Sequence, residues 1–142
     1  VGVALGVSTG VATLGALAAA GLADRIGRII PVTVALLVQV VMIWLLQGEM
    51  SFLQFMLTAA IFQTFWNLNG PYIMGTIALS DTTGRVSLLI PTAQIGGFFL
   101  GPVIAGPMLT PGAGYGPANT LAIACCLLAL AIFIPVAMRL KR

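Results

Sequence analysis

The side chains of this chain that could do chemistry are amides, an indole and a phenol set among apolar residues. Gln63, Trp66, Asn67, Asn69 and Tyr72 crowd one short stretch, and Gln94 lies further on. Helical spacing puts Gln63, Trp66, Asn67, Gly70 and Met74 on one face. Such groups offer neutral hydrogen bonds and an aromatic wall, the parts from which small-molecule sites are built. They do not make a catalytic set. The chain has no His, its carboxylates Asp24, Glu49 and Asp81 are peripheral, and Cys125 and Cys126 are adjacent within an apolar run. Neighbouring cysteines rarely bridge, because disulfide geometry is specific. The expectation is therefore no enzyme, no metal site and no cofactor.

The elements that must carry these groups follow from composition. Sixty per cent of the residues are hydrophobic and 6% are charged, whereas a soluble domain is about a quarter charged. Apolar stretches of about 20 residues span a bilayer core as helices. Five occur, near 1–20, 29–47, 52–79, 88–109 and 118–138. Barrel strands alternate apolar and polar residues, and these runs do not. The predicted fold is an all-α integral membrane domain of five transmembrane helices. The chain starts inside the first span without an initiator Met, a positive leader or a cleavage site. That span is not a signal peptide, and the start is expected to be that of a fragment whose upstream spans are lost.

Charge placement sets the expected orientation. Arg25 and Arg28 follow the first span, Arg85 the third, and Arg139, Lys141 and Arg142 the fifth. Glu49 alone charges the second connection, and 110–117 carries no charge. All six basic residues then fall on one side, as the positive-inside rule requires. The N-terminus is expected outside and the C-terminus in the cytoplasm, in a bacterial inner (plasma) membrane. Scattered over three short loops, the basic residues do not form a nucleic-acid surface.

The spans differ in character. Gly2, Gly6 and Gly10 repeat at intervals of four in the first, with Ser8, Ala12, Ala16 and Ala20 as a second small row, the spacing of close helix packing in lipid. Thr9 and Thr13 add polar groups there. Span two carries Pro31 in its first turn and Gln39 as its one mid-span polar residue, and is expected to face lipid. Span three has Gly70 and Pro71 at its middle, where Pro71 leaves the Asn67 carbonyl without its helical donor. An interrupted helix at membrane depth belongs where it is buried in protein or lines water, so its amides serve either as helix-to-helix bonds or as a cavity wall. Asp81 or Thr82 is expected to begin a short capping turn. Gly97, Gly101, Pro102, Gly106 and Pro107 make span four a bent, closely packed helix, and span five is expected to face lipid.

Gly21-x-x-Asp24-Arg25-x-Gly27-Arg28, between two spans on the expected cytoplasmic side, resembles the loop motif of the major facilitator superfamily. In that family it joins helices two and three and recurs in weaker form between helices eight and nine. The strict form ends in more basic residues, while Ile29 and Ile30 follow here. Span three has no Arg, and the stretch 81–106 looks like helices ten and eleven. These features favour helices eight to twelve over helices two to six. The resemblance implies the C-terminal six-helix half of such a fold, lacking its first helix, with the N-terminal half as missing partner. It implies a secondary carrier using alternating access, with substrate between the halves near the midplane. Gln63, Trp66, Asn67, Asn69, Tyr72 and Gln94 would bind a neutral polar or aromatic-containing molecule. Gly21, Asp24, Arg25, Gly27 and Arg28 would form a conformational latch, Asp24 accepting from a helix N-terminus. No ionisable residue lies inside a span, so a proton-coupling group would belong to the other half. The competing function is a small membrane scaffold that oligomerises through its glycine rows and transports nothing.

Overall fold

The computed structural model describes residues 27–109 and 114–139, together with Gly2, Gly6, Gly10, Thr13 and Gly21. Among the described residues there is helix and no strand. The four long helices are α1 (Ile29–Leu45), α2 (Phe52–Ser80), α3 (Arg85–Ala105) and α4 (Gly116–Arg139), and one 3-10 turn, Gly106–Met108, extends α3. The rest of the first predicted span, Thr9 among it, and Asp24 and Arg25 lie outside the described residues.

Local chemistry fixes where each helix starts. Gly27 takes φ 68°, a left-handed conformation that turns the chain into α1 and favours glycine because it lacks a Cβ. The Ser51 hydroxyl caps α2 by accepting from the Gln54 N–H at 3.2 Å. At the start of α3, Asp81 caps from outside the helix: one carboxylate oxygen accepts the Ser87 N–H at 2.7 Å and the other the Thr83 N–H at 3.2 Å. These bonds, that of the Ser87 N–H first, hold the Asp81 carboxyl below its ordinary value. In α4, Pro117 sits in the first turn, where its missing donor costs nothing.

Among the described residues two helices are long and apolar enough to cross a membrane, Arg85–Met108 and Gly116–Arg139. With 17 residues, α1 reaches about 26 Å at 1.5 Å per residue, short of a bilayer core of about 30 Å. Length is no obstacle for the 29 residues of α2, but its amides and hydroxyls make it more polar. Pro71 sits within α2 without ending it; the interruption expected there is limited to the one bond that proline cannot donate.

Helix α1 is the hub, packing against α2 on one side and α4 on the other. Its buried face reads Val32, Ala35, Leu36, Gln39 and Ile43, one stripe at helical spacing. Val32 and Leu36 join Tyr72 of α2 in the core, with Leu68 and Ile73 of α2 and Leu130 and Phe133 of α4 against them. The opposite face of α1 exposes Ile30, Val34, Leu37, Val41 and Trp44. The expectation that 29–47 faces lipid fails for the side that packs on α2 and α4, and the other side is exposed. Both faces are apolar, so composition did not separate them.

Among the described residues six hydrophobic side chains are buried and 29 large ones are exposed. In water that ratio would leave a surface of contiguous apolar patches, which soluble monomers avoid; hydrocarbon is the solvent that suits it. In such a solvent, burying Val32 against a neighbour gains no hydrophobic energy, and helix contacts rest on van der Waals packing and hydrogen bonds. Side-chain hydrogen bonds tie the hub to its neighbours: Arg28 Nη1 donates to the Gly75 carbonyl of α2 at 3.2 Å, and Asn119 Nδ2 of α4 donates to the Leu46 carbonyl at 3.3 Å. Helix α3 has no buried residue and packs mainly against α2.

Candidate functional site

At about 100° per residue, α2 presents two nearly opposite polar faces. Thr58, Asn69, Tyr72 and Thr76 form the inner one and are all buried. Gln63, Asn67, Gly70 and Met74 form the outer one and are half-buried or exposed. Trp66 lies at its flank, 47% exposed, stacked on Phe62 one turn earlier with ring centroids 6.3 Å apart. The five α2 residues expected to bind substrate are thus divided: Tyr72 packs against α1 and Asn69 shares its buried face, whereas Gln63, Trp66 and Asn67 lie on the other side. Gln94 of α3 is exposed, away from the α1 contact.

Much of the polar chemistry of α2 is spent within the helix. The Asn67 Nδ2 donates to the Gln63 carbonyl at 2.9 Å, the Thr64 hydroxyl to Ala60 at 2.8 Å, and the Thr76 hydroxyl to Tyr72 at 2.7 Å. These bonds run back one turn to the i−4 carbonyl, the usual outlet for short polar side chains inside helices. Gln63 and Asn67 are therefore joined through one carbonyl and act as a unit. Asn69 behaves differently. It is 6% exposed, and its Oδ1 accepts no hydrogen bond.

The loop residues resolve into two roles. Gly27 supplies the left-handed turn that starts α1. Arg28, at the N-cap of α1, sends its guanidinium to the Gly75 carbonyl, one turn beyond Pro71. A methyl group added at Gly75 would lie 3.9 Å from the Arg28 Cζ, an ordinary van der Waals separation. Arg28 has a specific acceptor and is more than an orientation signal. Gly21 is exposed in helical backbone. Thr13 donates its hydroxyl to the Gly10 carbonyl within its own helix.

Gln39, the one mid-span polar residue of its span, is 1% exposed, and its Nε2 has no hydrogen-bond partner. Two polar groups with structural roles escaped the sequence reading. Asn119 bridges α4 to the end of α1; nothing near it in sequence announces that reach. Ser51 was legible, since Ser51-x-x-Gln54 before an apolar run is a helix-start signature. The cysteines are free, Cys125 exposed and Cys126 half-buried. No protein-family model matches the chain, and neither a curated protein nor a solved structure matches it.

Proposed function

We propose that this chain is part of a secondary membrane carrier of the major facilitator type, supplying helices eight to twelve of a twelve-helix fold. The observation that carries this is the bond between Arg28 and the Gly75 carbonyl. It joins the charged loop 21–28, whose sequence resembles the family's latch motif, to the helix that bears the amides and Pro71. A rocking motion of α2 about Pro71, where one backbone bond is missing, would make or break this contact. The loop and the binding helix would then report to each other, as alternating access requires.

In this mechanism Gln63, Trp66 and Asn67 meet a neutral polar or aromatic-containing substrate on the outer face of α2. Gln94 approaches from α3, and Asn69 and Tyr72 set the inner wall. Asp24 and Arg25 complete the latch against the N-terminal half of the carrier. The N-terminus lies outside and the C-terminus in the cytoplasm, an orientation supported by the six basic residues on one side.

The test is uptake by proteoliposomes of the full-length protein against a panel of neutral metabolites. Asn67→Ala is expected to abolish uptake while insertion is preserved; unchanged uptake of every accepted compound would remove the outer face from the site. Labelling of Arg28→Cys from the outer side by a membrane-impermeant maleimide would overturn the orientation.

One observation favours a second function, that of an oligomerising scaffold. Helix α3 buries no residue, and a Cβ at Gly97 or Gly101 would meet nothing within 4 Å. Bulky replacements there would disperse a scaffold into monomers. Substrate uptake by the reconstituted protein would count against that function.

A further inference from the structure

We propose that Gln39 and Asn69 form a binding site, between α1 and α2, for a single neutral hydroxyl group. The two amides are the buried side chains of the helix pair whose polar ends are left unpaired: Gln39 is 1% and Asn69 6% exposed, and the Gln39 Nε2 and Asn69 Oδ1 make no hydrogen bond. They lie on packed faces, Gln39 in the stripe of Val32, Leu36 and Ile43, and Asn69 in that of Thr58, Tyr72 and Thr76. Their level along the helices follows from register. A short connection joins α1 to α2, so the two run antiparallel, and Leu36 shares a core cluster with Tyr72. One step of three residues toward the connection from each gives Gln39 and Asn69. Thr33 Oγ1, also unpaired, lies about 9 Å further along α1 at 1.5 Å per residue and belongs to another level.

The unpaired atoms are complementary in kind. Gln39 Nε2 can only donate, and Asn69 Oδ1 can only accept. A group that serves both must accept from one and donate to the other. One hydroxyl oxygen does this; a carboxylate cannot donate, and an ammonium cannot accept. Leaving a buried amide atom unpaired costs the full desolvation of that group, and native structures leave few such groups without a partner. Both residues are almost wholly shielded from solvent, so the occupant is held rather than exchanged freely. It is either a trapped water, which satisfies buried polar groups of this kind, or a hydroxyl of a polyol. The site adds Gln39 to the residues that could touch a substrate, and it stands on the geometry of α1 and α2 rather than on transport.

The experiment uses the full chain in lipid nanodiscs with glutamine side chains labelled with nitrogen-15. The Gln39 resonance is separated from those of Gln47, Gln54, Gln63 and Gln94 by its loss in Gln39→Met. The expected result is a cross-peak between water and the Gln39 side-chain amide that is lost in Asn69→Leu, or in Asn69→Ala should the larger residue prevent insertion. Glycerol is then titrated as the polyol probe, with acetate as its charged counterpart. A cross-peak that glycerol removes and acetate spares supports a ligand hydroxyl. A cross-peak that survives both supports a trapped water. A direct contact between the Gln39 and Asn69 amides with no water signal would overturn the proposal, as would equal displacement by acetate. Failure of uptake in proteoliposomes leaves this readout unchanged, so the two proposals fail separately.

Discussion

Asn67 and Asn69 are the same residue type two positions apart in one helix, and the fold gives them opposite surroundings. Asn69 shares the buried side of α2 with Thr58, Tyr72 and Thr76, and its Oδ1 is unpaired. Asn67 shares the other side with Gln63, half-buried and tied to its carbonyl at 2.9 Å. The inner face must satisfy packing before anything else, because in lipid close contact and hydrogen bonds are what hold helices together. The outer face carries no such duty. Its amides and the exposed Trp66 are free to meet a ligand or another helix.

Breaking the inner face should have the largest effect. Tyr72→Ala empties the core between α1, α2 and α4 and is expected to destabilise by about 3 kcal/mol, read from unfolding in mixed micelles. A loss no greater than that of Asn67→Ala would erase the distinction between the faces. Next comes the outer face, with the signature reversed. Asn67→Ala should lower uptake by at least about tenfold, equivalent to about 1.4 kcal/mol, while stability changes by less than about 0.5 kcal/mol. A variant that unfolds instead would move Asn67 to the structural side.

Arg28→Ala removes the bond to Gly75 and should cost about 1 kcal/mol, the worth of a partly buried hydrogen bond. Thermal unfolding in detergent measures it, and a shift no larger than that of Arg139→Ala would reduce Arg28 to a topology signal. The smallest effect belongs to Asp81, whose folded pKa is lowered chiefly by the Ser87 N–H. A lowered carboxylate pKa stabilises above the unfolded value, about 3.9, and that contribution disappears as pH falls through the folded value. Exchange of the first-turn amides of α3 should therefore quicken below about pH 4, and Asp81→Asn should flatten that dependence. Identical profiles for the two proteins would remove Asp81 as the cap.

These two faces also mark how far the sequence could be read. The helical segments after residue 28 were legible because long apolar runs separated by short polar connections leave few other folds. The Asp81 cap was legible because Asp-x-x-Gly ahead of an apolar run is a turn with a mechanism. Which side of α2 faces α1 was not, since apolar residues surround its amides on every side and no periodicity separates them. For the same reason α1 read as a lipid-facing helix although half of it is buried. The partner of Arg28 lies 47 residues away, and no local pattern encodes that distance.

By itself, the sequence determined that these residues form helices, two of them long and apolar enough to cross a membrane, with charge kept to their ends and connections. A chain with 6% charged residues cannot cover itself against water, and backbone groups in hydrocarbon must pair within helices or closed barrels. Tertiary structure alone decided which faces meet: Val32 and Leu36 on Tyr72, Asn119 on the end of α1, Arg28 on Gly75. Lipid tails are as apolar as leucine, so hydropathy cannot distinguish a helix-facing side from a lipid-facing one. Only shape and the few interhelical hydrogen bonds make that choice.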